Sequence, residues 1–271
     1  MGNSAAKVIL VTGASSGIGK ACAEHLASLG HRVYGTSRKG PGKMGSVEIL
    51  PMDVTDERSV REGVLRVVTE AGRLDVVVNN AGMGIAGALE DTSVEEAKLQ
   101  FDTNFFGMFR VCRAALPILR KQRSGLIINI SSIGGLIALP FQGVYSATKF
   151  AIEGLTEALR MEVRQFGIRV AMVEPGDFKT GFTANRIRTK ESGEQSAYRA
   201  SMDAALGVME RDEQNGPTPE AVARLVGKIV AKESPALRYP VGLFLQKLAV
   251  KLKRVLPSGM FEAIIRSTYK L

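Results

Sequence analysis

The sequence predicts an α/β protein built on a doubly wound parallel sheet of about seven strands, with helices on both faces. Three observations predict this class. Short runs rich in β-branched residues alternate with segments of helical length, a glycine-rich turn follows the first run, and no linker divides the 271 residues in two. We therefore expect one domain over residues 1–271 that ends in a C-terminal helical extension.

The candidate strands are short apolar runs bounded by turn residues. They cover residues 8–12, 32–37, 47–50, 76–79, 126–131, 168–174 and 237–241. A helix over residues 20–29 is predicted between the first two strands, and Gly30 is suited to end it because glycine tolerates the left-handed conformation of a helix C-cap.

Composition and charge exclude several classes of protein. With 45% hydrophobic and 23% charged residues, the chain resembles an ordinary globular protein. The net charge of +9 is scattered, without interleaved aromatic residues, so we expect no nucleic-acid partner. Cys22 and Cys112 are far apart and only two histidines occur, so no disulfide and no metal site are predicted. No apolar run is long enough for a membrane span, and the run at 7–12 is too short for a signal peptide; we expect a cytoplasmic location.

The glycine-rich turn after the first predicted strand is suited to a nucleotide phosphate. Gly13 permits a tight turn, and Gly17 and Gly19 let the backbone approach a pyrophosphate at the N-terminus of the following helix. The spacing Gly-x3-Gly-x-Gly differs from the more general Gly-x-Gly-x2-Gly pattern, and glycine also ends strands for structural reasons. The position of the turn directly after the first strand favours nucleotide binding.

The end of the second predicted strand indicates which nucleotide is bound. A protein that binds NAD carries an acid there for the ribose hydroxyl, but this sequence has Ser37 and Arg38. An arginine can bind a 2′-phosphate through two charge-assisted hydrogen bonds, so we expect NADP(H). After the third strand, Asp53 either accepts a hydrogen bond from the adenine amine or caps the helix that begins near Glu57.

Polar residues also follow the fourth and fifth predicted strands. Asn79-Asn80-Ala81-Gly82 ends the fourth strand at the edge where ligands bind in such sheets, although the same residues could form only a turn. Asn104 lies among phenylalanines in the next helix and needs hydrogen-bond partners if it is buried. Ser131 and Ser132 end the fifth strand, and one of them could polarise a carbonyl.

Tyr145 and Lys149 are the candidate acid and base. Four residues apart in a helix, they lie on one face, one turn apart. A nearby ammonium favours the phenolate, so we expect Lys149 to lower the pKa of Tyr145 from its usual value near ~10. The alternative is an ordinary pair of neighbours on a helix surface.

Taken together, these motifs resemble those of the short-chain dehydrogenase/reductase family. The matching elements, in order, are Thr12-Gly-x3-Gly-x-Gly19, Asn79-Asn80-Ala81-Gly82, Asn104, Ser132, Tyr145-x3-Lys149 and Pro175-Gly176-x3-Thr180. The resemblance covers residues 7–180 and implies a Rossmann-like fold, a nicotinamide cofactor and a tendency to form homodimers or homotetramers.

The resemblance also implies a role for individual residues. Tyr145 would exchange a proton with the substrate oxygen, Ser132 would hydrogen-bond that oxygen, and Ser131 would be structural. Lys149 would lower the pKa of Tyr145 and bind the nicotinamide ribose, and Asn104 would hold a water that connects Lys149 to solvent. The residues expected to contact the cofactor are Gly13, Ser15, Ser16, Gly17, Ile18, Gly19, Arg38, Asp53, Val54, Asn80, Ala81, Gly82, Tyr145, Lys149, Pro175, Gly176, Phe178 and Thr180, with Phe178 and Thr180 near the carboxamide.

The last third of the chain carries fewer motifs. Residues 181–216 are polar and predict one or two mobile helices that form a substrate lid. In the extension over 241–271, an apolar stripe and a basic face predict an amphipathic helix at 241–256. This helix either packs on its own domain or a neighbouring subunit, which we favour, or makes a peripheral contact with an anionic membrane.

These observations predict an NADP(H)-dependent oxidoreductase that interconverts a carbonyl and an alcohol. The extension loosely resembles that of family members acting on steroids, retinoids and lipids, so a hydrophobic substrate is expected. An alternative is a reductase of 3-oxoacyl thioesters on acyl carrier protein or CoA. A second alternative, from another class, is a catalytically silent regulator that senses NADP.

Overall fold

A central sheet with helices on both faces organises the protein, whose computed structural model describes residues 6–271. The eight strands of this sheet are β1 (Val8–Val11), β2 (Arg32–Ser37), β3 (Gly42–Met44), β4 (Val47–Pro51), β5 (Val76–Asn79), β7 (Gly125–Ile130), β8 (Ile168–Pro175) and β10 (Arg238–Val241). Two further strands, β6 (Ile85–Ala86) and β9 (Ile187–Arg188), pair with each other in a separate parallel ribbon. The predicted α/β class is confirmed. Residues 1–5 of the predicted domain lie outside the described part of the chain.

The helices follow the strands in the alternation that the sequence predicts. They are α1 (Gly17–Ser28), α2 (Glu57–Ala71), α3 (Val94–Phe101), α4 (Gly107–Gln122), α5 (Gly143–Val163), α6 (Arg199–Asn215), α7 (Glu220–Ala231), α8 (Phe244–Val255) and α9 (Ser258–Tyr269). A π-helical turn over Asp102–Phe106 joins α3 to α4, so the helix predicted around Asn104 has an irregular turn at that residue. Such π-helical turns occur often at functional sites.

The strand order is β10-β8-β7-β5-β1-β2-β4-β3, and every neighbouring pair is parallel except β3 with β4. Successive connections run outward in one direction from β1 to β2 and β4, and in the other direction from β5 to β7 and β8. The order therefore reverses between β1 and β5, where the carboxyl ends of the strands leave a crevice for a ligand. The glycine-rich turn after β1 and the Asn80–Gly82 segment after β5 meet at this crevice.

Two apolar cores cover the two faces of the sheet, and β1 shows why. Val8 and Leu10 point into the core beneath α2, α4 and α5, whereas Ile9 and Val11 point into the core beneath α1 and α7. Successive side chains of a strand point to opposite faces, so a strand covered on both sides is apolar throughout. This explains the continuous apolar runs in the sequence.

The structure differs from the predicted elements near two turns. The helix predicted from residue 20 begins at Gly17, because the glycine-rich turn is itself the first helical turn. The sequence does not predict the eighth strand, β3, because it has only three residues, Gly42–Met44, and lies between Gly40 and Gly45. A turn at Gly45, whose φ is +59°, folds β3 back antiparallel to β4.

The amphipathic helix predicted at 241–256 exists as α8, but its apolar stripe is divided. Val250 is buried against Ile133 and Ile137, so one face of α8 packs on its own domain, as the favoured interpretation requires. Phe244 and Val255 are 73% and 75% exposed. After Pro257, α9 packs on the Val250 side of α8 through Phe261 and leaves these two residues uncovered. Among the helices of residues 6–271, none is both long and apolar enough to cross a bilayer.

Candidate active site

The turn between β1 and α1 has the backbone of an anion-binding site. Gly13 and Gly17 have φ angles of +64° and +54°, which residues with a Cβ rarely adopt. Ser16 is the N-cap of α1, yet its side chain makes no capping hydrogen bond. The first amides of α1 therefore point toward the crevice without a side-chain partner, and the positive end of the helix dipole adds to their attraction for a phosphate. Ser15 is exposed beside them, while Ile18 packs on the core.

The Asn80–Gly82 segment holds this turn in place. Thr12 Oγ1 accepts hydrogen bonds from the backbone amides of Asn80 (2.9 Å) and Ala81 (3.0 Å). The Asn80 side chain donates in return to the Thr12 and Gly13 carbonyls. A Cβ at Gly19 would overlap Asn80 Nδ2 and the Gly13 carbonyl, so the turn can form only with glycine there. Through these contacts the Asn80–Gly82 segment fixes the turn between β1 and α1, which we call the phosphate turn.

The candidate nucleotide residues lie farther along the same edge. Arg38 is exposed directly after β2. Burial opposes ionisation of Asp53, but the hydrogen bonds from Thr55 and then the charge of Arg38 lower its pKa overall. The Asp53 carboxylate accepts hydrogen bonds from the Thr55 amide and hydroxyl, and Asp56 caps α2. The capping alternative for Asp53 is therefore wrong, because Asp56 stands directly before the helix. Val54 points into the core, so only its backbone can face a ligand.

Asn104 is 2% exposed in the π-helical turn and all of its polar atoms have partners. Its Oδ1 accepts from the Met83 amide at 2.8 Å. Its Nδ2 donates to the Met83 carbonyl at 3.0 Å and to Thr148 Oγ1 at 3.2 Å. Asn104 therefore ties the loop after β5 to α5, one residue before Lys149.

Ser132, Tyr145 and Lys149 meet where β7 and α5 approach each other. Lys149 Nζ lies 5.7 Å from the centroid of the Tyr145 ring and donates to the Ile130 carbonyl at 3.0 Å. Ser132 Oγ accepts from the Gly134 amide at 2.9 Å, which orients the hydroxyl at the strand end. A Cβ at Gly134 would lie 3.2 Å from the Tyr145 ring and 3.3 Å from Ser132 Oγ, so Ser132 and the phenol lie on the same side of this turn. Ser132 is thus the serine that lies near the phenol.

The electrostatic environment of the pair differs from the expectation. Burial raises the pKa of Tyr145 to about 12, and the nearby Ser132 hydroxyl offsets this only in part. Burial also lowers the pKa of Lys149 to about 8. The expected lowering of the Tyr145 pKa by Lys149 is therefore not found, because removing both groups from water penalises the phenolate and the ammonium alike.

Ser131 and Glu153 form a buried layer behind the pair. Ser131 is 3% exposed and points away from the crevice, which fits its expected structural role. Glu153 is 5% exposed, and its charge raises the pKa of Lys149 against the effect of burial. Glu153 is not among the site residues predicted from the sequence, although it follows Lys149 by the same four residues that separate Lys149 from Tyr145.

The segment after β8 crosses the front of the crevice. Thr180 lies opposite the phosphate turn, since a Cβ at Gly17 would be 3.6 Å from Thr180 Cβ. Pro175 and Gly176 lie beneath Gln246 of α8. Phe178 is 4% exposed and packs in the core with α7, so its side chain is turned away from the expected carboxamide position. Only its backbone can contribute there.

The predicted lid contains one helix, α6, preceded by an ordered loop. Phe182 of this loop places its ring centroid 5.7 Å from that of Tyr145. Met202 and Leu206 of α6 pack toward Leu139 and Phe141, on the loop that leads to Tyr145. One helix rather than two forms because β9 uses the start of the segment to extend β6.

An open cleft of about 330 Å³ lies beside this loop, between the segment after β6 and the start of α5. It is lined by Gly87, Ala88, Leu89, Glu90, Thr92, Leu139, Pro140, Phe141, Gly143, Val144 and Tyr198. Most of these residues are apolar, and Val144 directly precedes Tyr145. The cleft therefore lies beside the start of the helix that carries Tyr145, although the phenol itself does not line it.

The two cysteines and two histidines do not add a second site. Cys22 and Cys112 are free and buried. Within residues 6–271, no group of three His, Cys, Asp or Glu side chains is arranged to hold a metal ion.

Comparison with known proteins gives a consistent result. The sequence profile described as "short chain dehydrogenase" matches residues 7–191. A protein from Bacteroides thetaiotaomicron named 3-ketodihydrosphingosine reductase is 48% identical over 265 residues, covering 98% of both chains. A solved short-chain dehydrogenase/reductase from Burkholderia phymatum in complex with NAD has a TM-score of 0.80 at 26% identity, covering 94% of this chain and 95% of its own. An alcohol dehydrogenase from Thermococcus sibiricus complexed with 5-hydroxy-NADP has a TM-score of 0.69 at 25% identity, covering 87% and 96%.

Proposed function

Because the chain belongs to the short-chain dehydrogenase/reductase family, we propose that it reduces a long-chain, lipid-like ketone with NADPH. The observation that carries this proposal is the apolar cleft at the start of α5, the helix that carries Tyr145, bounded by Leu139 and Phe141. Apolar lining with a few convergent polar groups is typical of sites for small hydrophobic molecules. The similarity to a 3-ketodihydrosphingosine reductase supports the same class of substrate.

The residues at the sheet edge fit a nicotinamide dinucleotide. The turn at Gly13 and Gly17 offers free amides to the pyrophosphate, and Arg38 is free to approach a phosphate from solvent. When bound, the reduced cofactor supplies the hydride. The protein must then position the ketone and manage the proton.

Tyr145 is the proposed proton donor in the reduction. The ketone carbon receives the hydride while the phenol gives its proton to the oxygen, so an alcohol and a phenolate result. A pKa raised to about 12 keeps Tyr145 protonated before the reaction. Ser132, which lies near the phenol, donates a second hydrogen bond to the same oxygen and stabilises its developing charge.

Lys149 and Asn104 are proposed to return the proton. Lys149 has a pKa of about 8, close to neutral pH, so it can carry a proton to the phenolate and regain one. Asn104 fixes the adjoining backbone through Met83 and Thr148. We propose that a water held near these groups completes the path to solvent.

Arg38 is proposed to select NADPH over NADH. The two similar solved structures hold NAD and a derivative of NADP respectively, so the choice within this family depends on the individual chain. A charge-assisted contact contributes roughly 1.5–3 kcal/mol, so Arg38→Asp should reduce the preference for NADPH by about 10- to 150-fold. The control is Arg61→Asp, the same change of charge on an exposed position of α2. An unchanged ratio of NADPH to NADH efficiency in Arg38→Asp would contradict the assignment.

The substrate proposal is tested by the rate of NADPH oxidation with three compounds. These are a long-chain 2-amino-3-ketone such as 3-ketodihydrosphingosine, the same ketone without the amino group, and a 3-oxoacyl thioester. We expect turnover of at least one long-chain ketone and little of the thioester. Turnover of the thioester alone would support the alternative reductase. Binding of NADPH without any turnover would support the regulator.

Exposed apolar residues support a proposed contact between copies of the chain. Leu99, Phe106 and Phe109 around α3 and α4, with Phe150 and Met161 of α5, are 41% to 74% exposed and suit a homodimer or homotetramer interface. Equilibrium sedimentation tests this assembly.

The outer face of α8 is proposed to touch anionic lipid. Phe244 and Leu245 are 73% and 74% exposed, and Lys251 and Arg254 flank them on the same helix. Flotation with vesicles containing anionic phospholipid tests the contact, with neutral vesicles as the control. A cytoplasmic location stays a prediction, which fractionation of cells into cytoplasm and membranes can check.

A further inference from the structure

Four charged side chains gather where the lid meets the segment after β8. We call Asp177, Arg186, Asp212 and Glu213 the acidic chamber. The guanidinium of Arg186 pairs with the Glu213 carboxylate, whose other oxygen accepts from the Thr183 hydroxyl. The end of α6 is pressed against the Asp177 segment, since a Cβ at Gly216 would lie 2.5 Å from the Asp177 carbonyl oxygen. The chamber is thus formed by two separate parts of the chain.

The acidic chamber adjoins the candidate acid. Phe182 connects them: its ring centroid is 5.7 Å from the Tyr145 ring and 5.8 Å from Arg186 Cζ. The negative charges of Glu213 and Asp177 raise the pKa of Tyr145, and the positive charge of Arg186 lowers it. Charges influence one another over several ångströms where water is excluded. A substrate atom near the Tyr145 hydroxyl would therefore also be near the chamber.

The charges in the chamber do not balance. Asp177 is half-buried and Glu213 is buried beside one guanidinium, while Asp212 is exposed at the edge. Burial together with the charges of Glu213 and Asp212 raises the pKa of Asp177 to about 7, so a cation beside this carboxylate would favour its charged form.

Two observations show which groups have unused bonding capacity. The Arg186 side chain is only 3% exposed, and its Nε and Nη1 have no hydrogen-bond partner; as donors they call for an acceptor and do not themselves favour a cation. Among the described residues, the carboxylate of Asp177 accepts from a single side-chain donor, the neutral amide of Gln246. Gln246 Oε1 also accepts from the Asp177 amide at 3.2 Å, so α8 fixes the orientation of this acid. Asp177 is therefore held in position with room for a further donor.

We propose that Asp177 binds a cationic amino group on the carbon next to the substrate carbonyl, with Glu213 adding to the negative field. This inference rests on the proposed function and names the substrate more closely: an α-amino ketone rather than a plain ketone. The ammonium would donate to the Asp177 carboxylate while the carbonyl faces Tyr145 and Ser132. The apolar cleft would then take the alkyl chain.

The competing explanation is that the chamber only latches the lid. In that case, Arg186 and Glu213 close α6 over the site, and the amino group of a substrate makes no difference. The two explanations can be separated with a matched pair of substrates, a long-chain 2-amino-3-ketone and the ketone of equal length without the amino group. The measured quantity is the ratio of their kcat/KM values with NADPH at pH 7.

The parent enzyme should prefer the amino ketone by about 10- to 150-fold, which corresponds to one charge-assisted hydrogen bond. Asp177→Asn should lose most of this preference through a higher KM for the amino ketone, and Asp177→Glu should restore part of it. Glu210→Gln, which removes the same charge from α6 outside the chamber, should retain the parent ratio. Thermal melting and NADPH affinity show whether each variant is folded.

The parent enzyme with an N-acetylated amino ketone tests the inference without any variant. Acetylation removes the positive charge, so the efficiency should fall toward that of the plain ketone or below it. Equal efficiency on the amino ketone and the plain ketone, or an Asp177→Asn variant with the parent ratio, would overturn the inference and leave the proposed function standing. Failure to reduce either ketone would overturn the proposed function itself.

Discussion

Around the crevice, residues 7–180 and residues 181–271 are stabilised by different kinds of contact. In the first region the key bonds join backbone groups and short side chains at strand ends, such as Thr12 to the Asn80 and Ala81 amides. In the second region they join long side chains from distant parts of the chain, such as Arg186 to Glu213, and Gln246 of this region also binds Asp177 at the end of the first. Few residue types can occupy the positions in the first region, because their side chains must bind fixed backbone groups. The second can be built from many residue types, which suits a region that adapts to the substrate.

This difference assigns separate tasks to the two regions. We propose that the glycine-rich turn and the residues around Tyr145 serve the chemistry that is common to the family, whereas the lid and α8 select the substrate. Changes to the glycine-rich turn and to the residues around Tyr145 should therefore affect every substrate. Changes to the lid, to α8 and to Asp177, which they contact, should affect some substrates more than others.

The largest effect is expected at the centre of the first region. Tyr145→Phe removes the phenolic proton, so kcat should fall by about 10²- to 10⁴-fold for every ketone tested. Stopped-flow and steady-state assays with NADPH measure the loss, and fluorescence titration should show unchanged NADPH affinity. A variant as active as the parent would remove Tyr145 from the proposed mechanism.

The next effect is a steric one in the phosphate turn. In Gly19→Ala the new Cβ overlaps Asn80 Nδ2, and overpacking of this kind costs roughly 1–3 kcal/mol. NADPH affinity should fall by about 10-fold or more as the turn moves. Gly207→Ala is the matched control in the lid helix, where a Cβ meets no heavy atom within 4 Å and alanine favours the helix. Calorimetric NADPH titration of both variants compares the regions directly, and equal affinities would contradict the steric argument.

A smaller and more selective effect is expected in the lid. Leu206 of α6 is 1% exposed, and Leu206→Ala creates a cavity that costs roughly 2–5 kcal/mol of local packing. The lid should close less often, so KM for a long-chain ketone should rise by about 10-fold while NADPH affinity stays within about 2-fold. If NADPH affinity fell as much as KM rose, the separation of the two regions would be wrong.

The smallest effect concerns a buried carboxyl of β8. Glu174 is fully buried, and burial with the charge of Glu153 raises its pKa from 4.5 to about 8. Between pH 4.5 and pH 8 the Glu174 carboxyl is protonated in the folded protein but ionised in the unfolded chain. The free energy of unfolding therefore falls progressively as the pH rises from 4.5 to 8. Glu174→Gln carries no such charge and should be more stable than the parent by roughly 1–3 kcal/mol at pH 8, and by less at pH 5. Urea unfolding at both pH values gives the difference, and a difference that does not grow with pH would contradict the assigned cause.

Much of the first region could be predicted from the sequence. Asn104, Ser132, Tyr145 and Lys149 occupy strand ends and helix faces whose positions follow from regular periodicity, and the structure places Ser132 and Lys149 beside the phenol. The pKa of Tyr145 could not be predicted in the same way. It depends on how completely α5, the loop after β7 and Phe182 exclude water, and the sum of those contacts outweighs the single charge of Lys149.

The sequence by itself determined the α/β sheet, the phosphate turn and the family, because each depends on residue types at fixed short spacings. Only the tertiary structure decided which acids lie near Tyr145. Asp177 and Glu213 are 36 positions apart in the sequence, and nothing in their local pattern distinguishes them from surface carboxyls. They meet because α6 folds back onto the segment after β8 and Gln246 of α8 fixes Asp177 from the other side. Contacts between distant segments depend on the packing of whole elements, which a local pattern does not record.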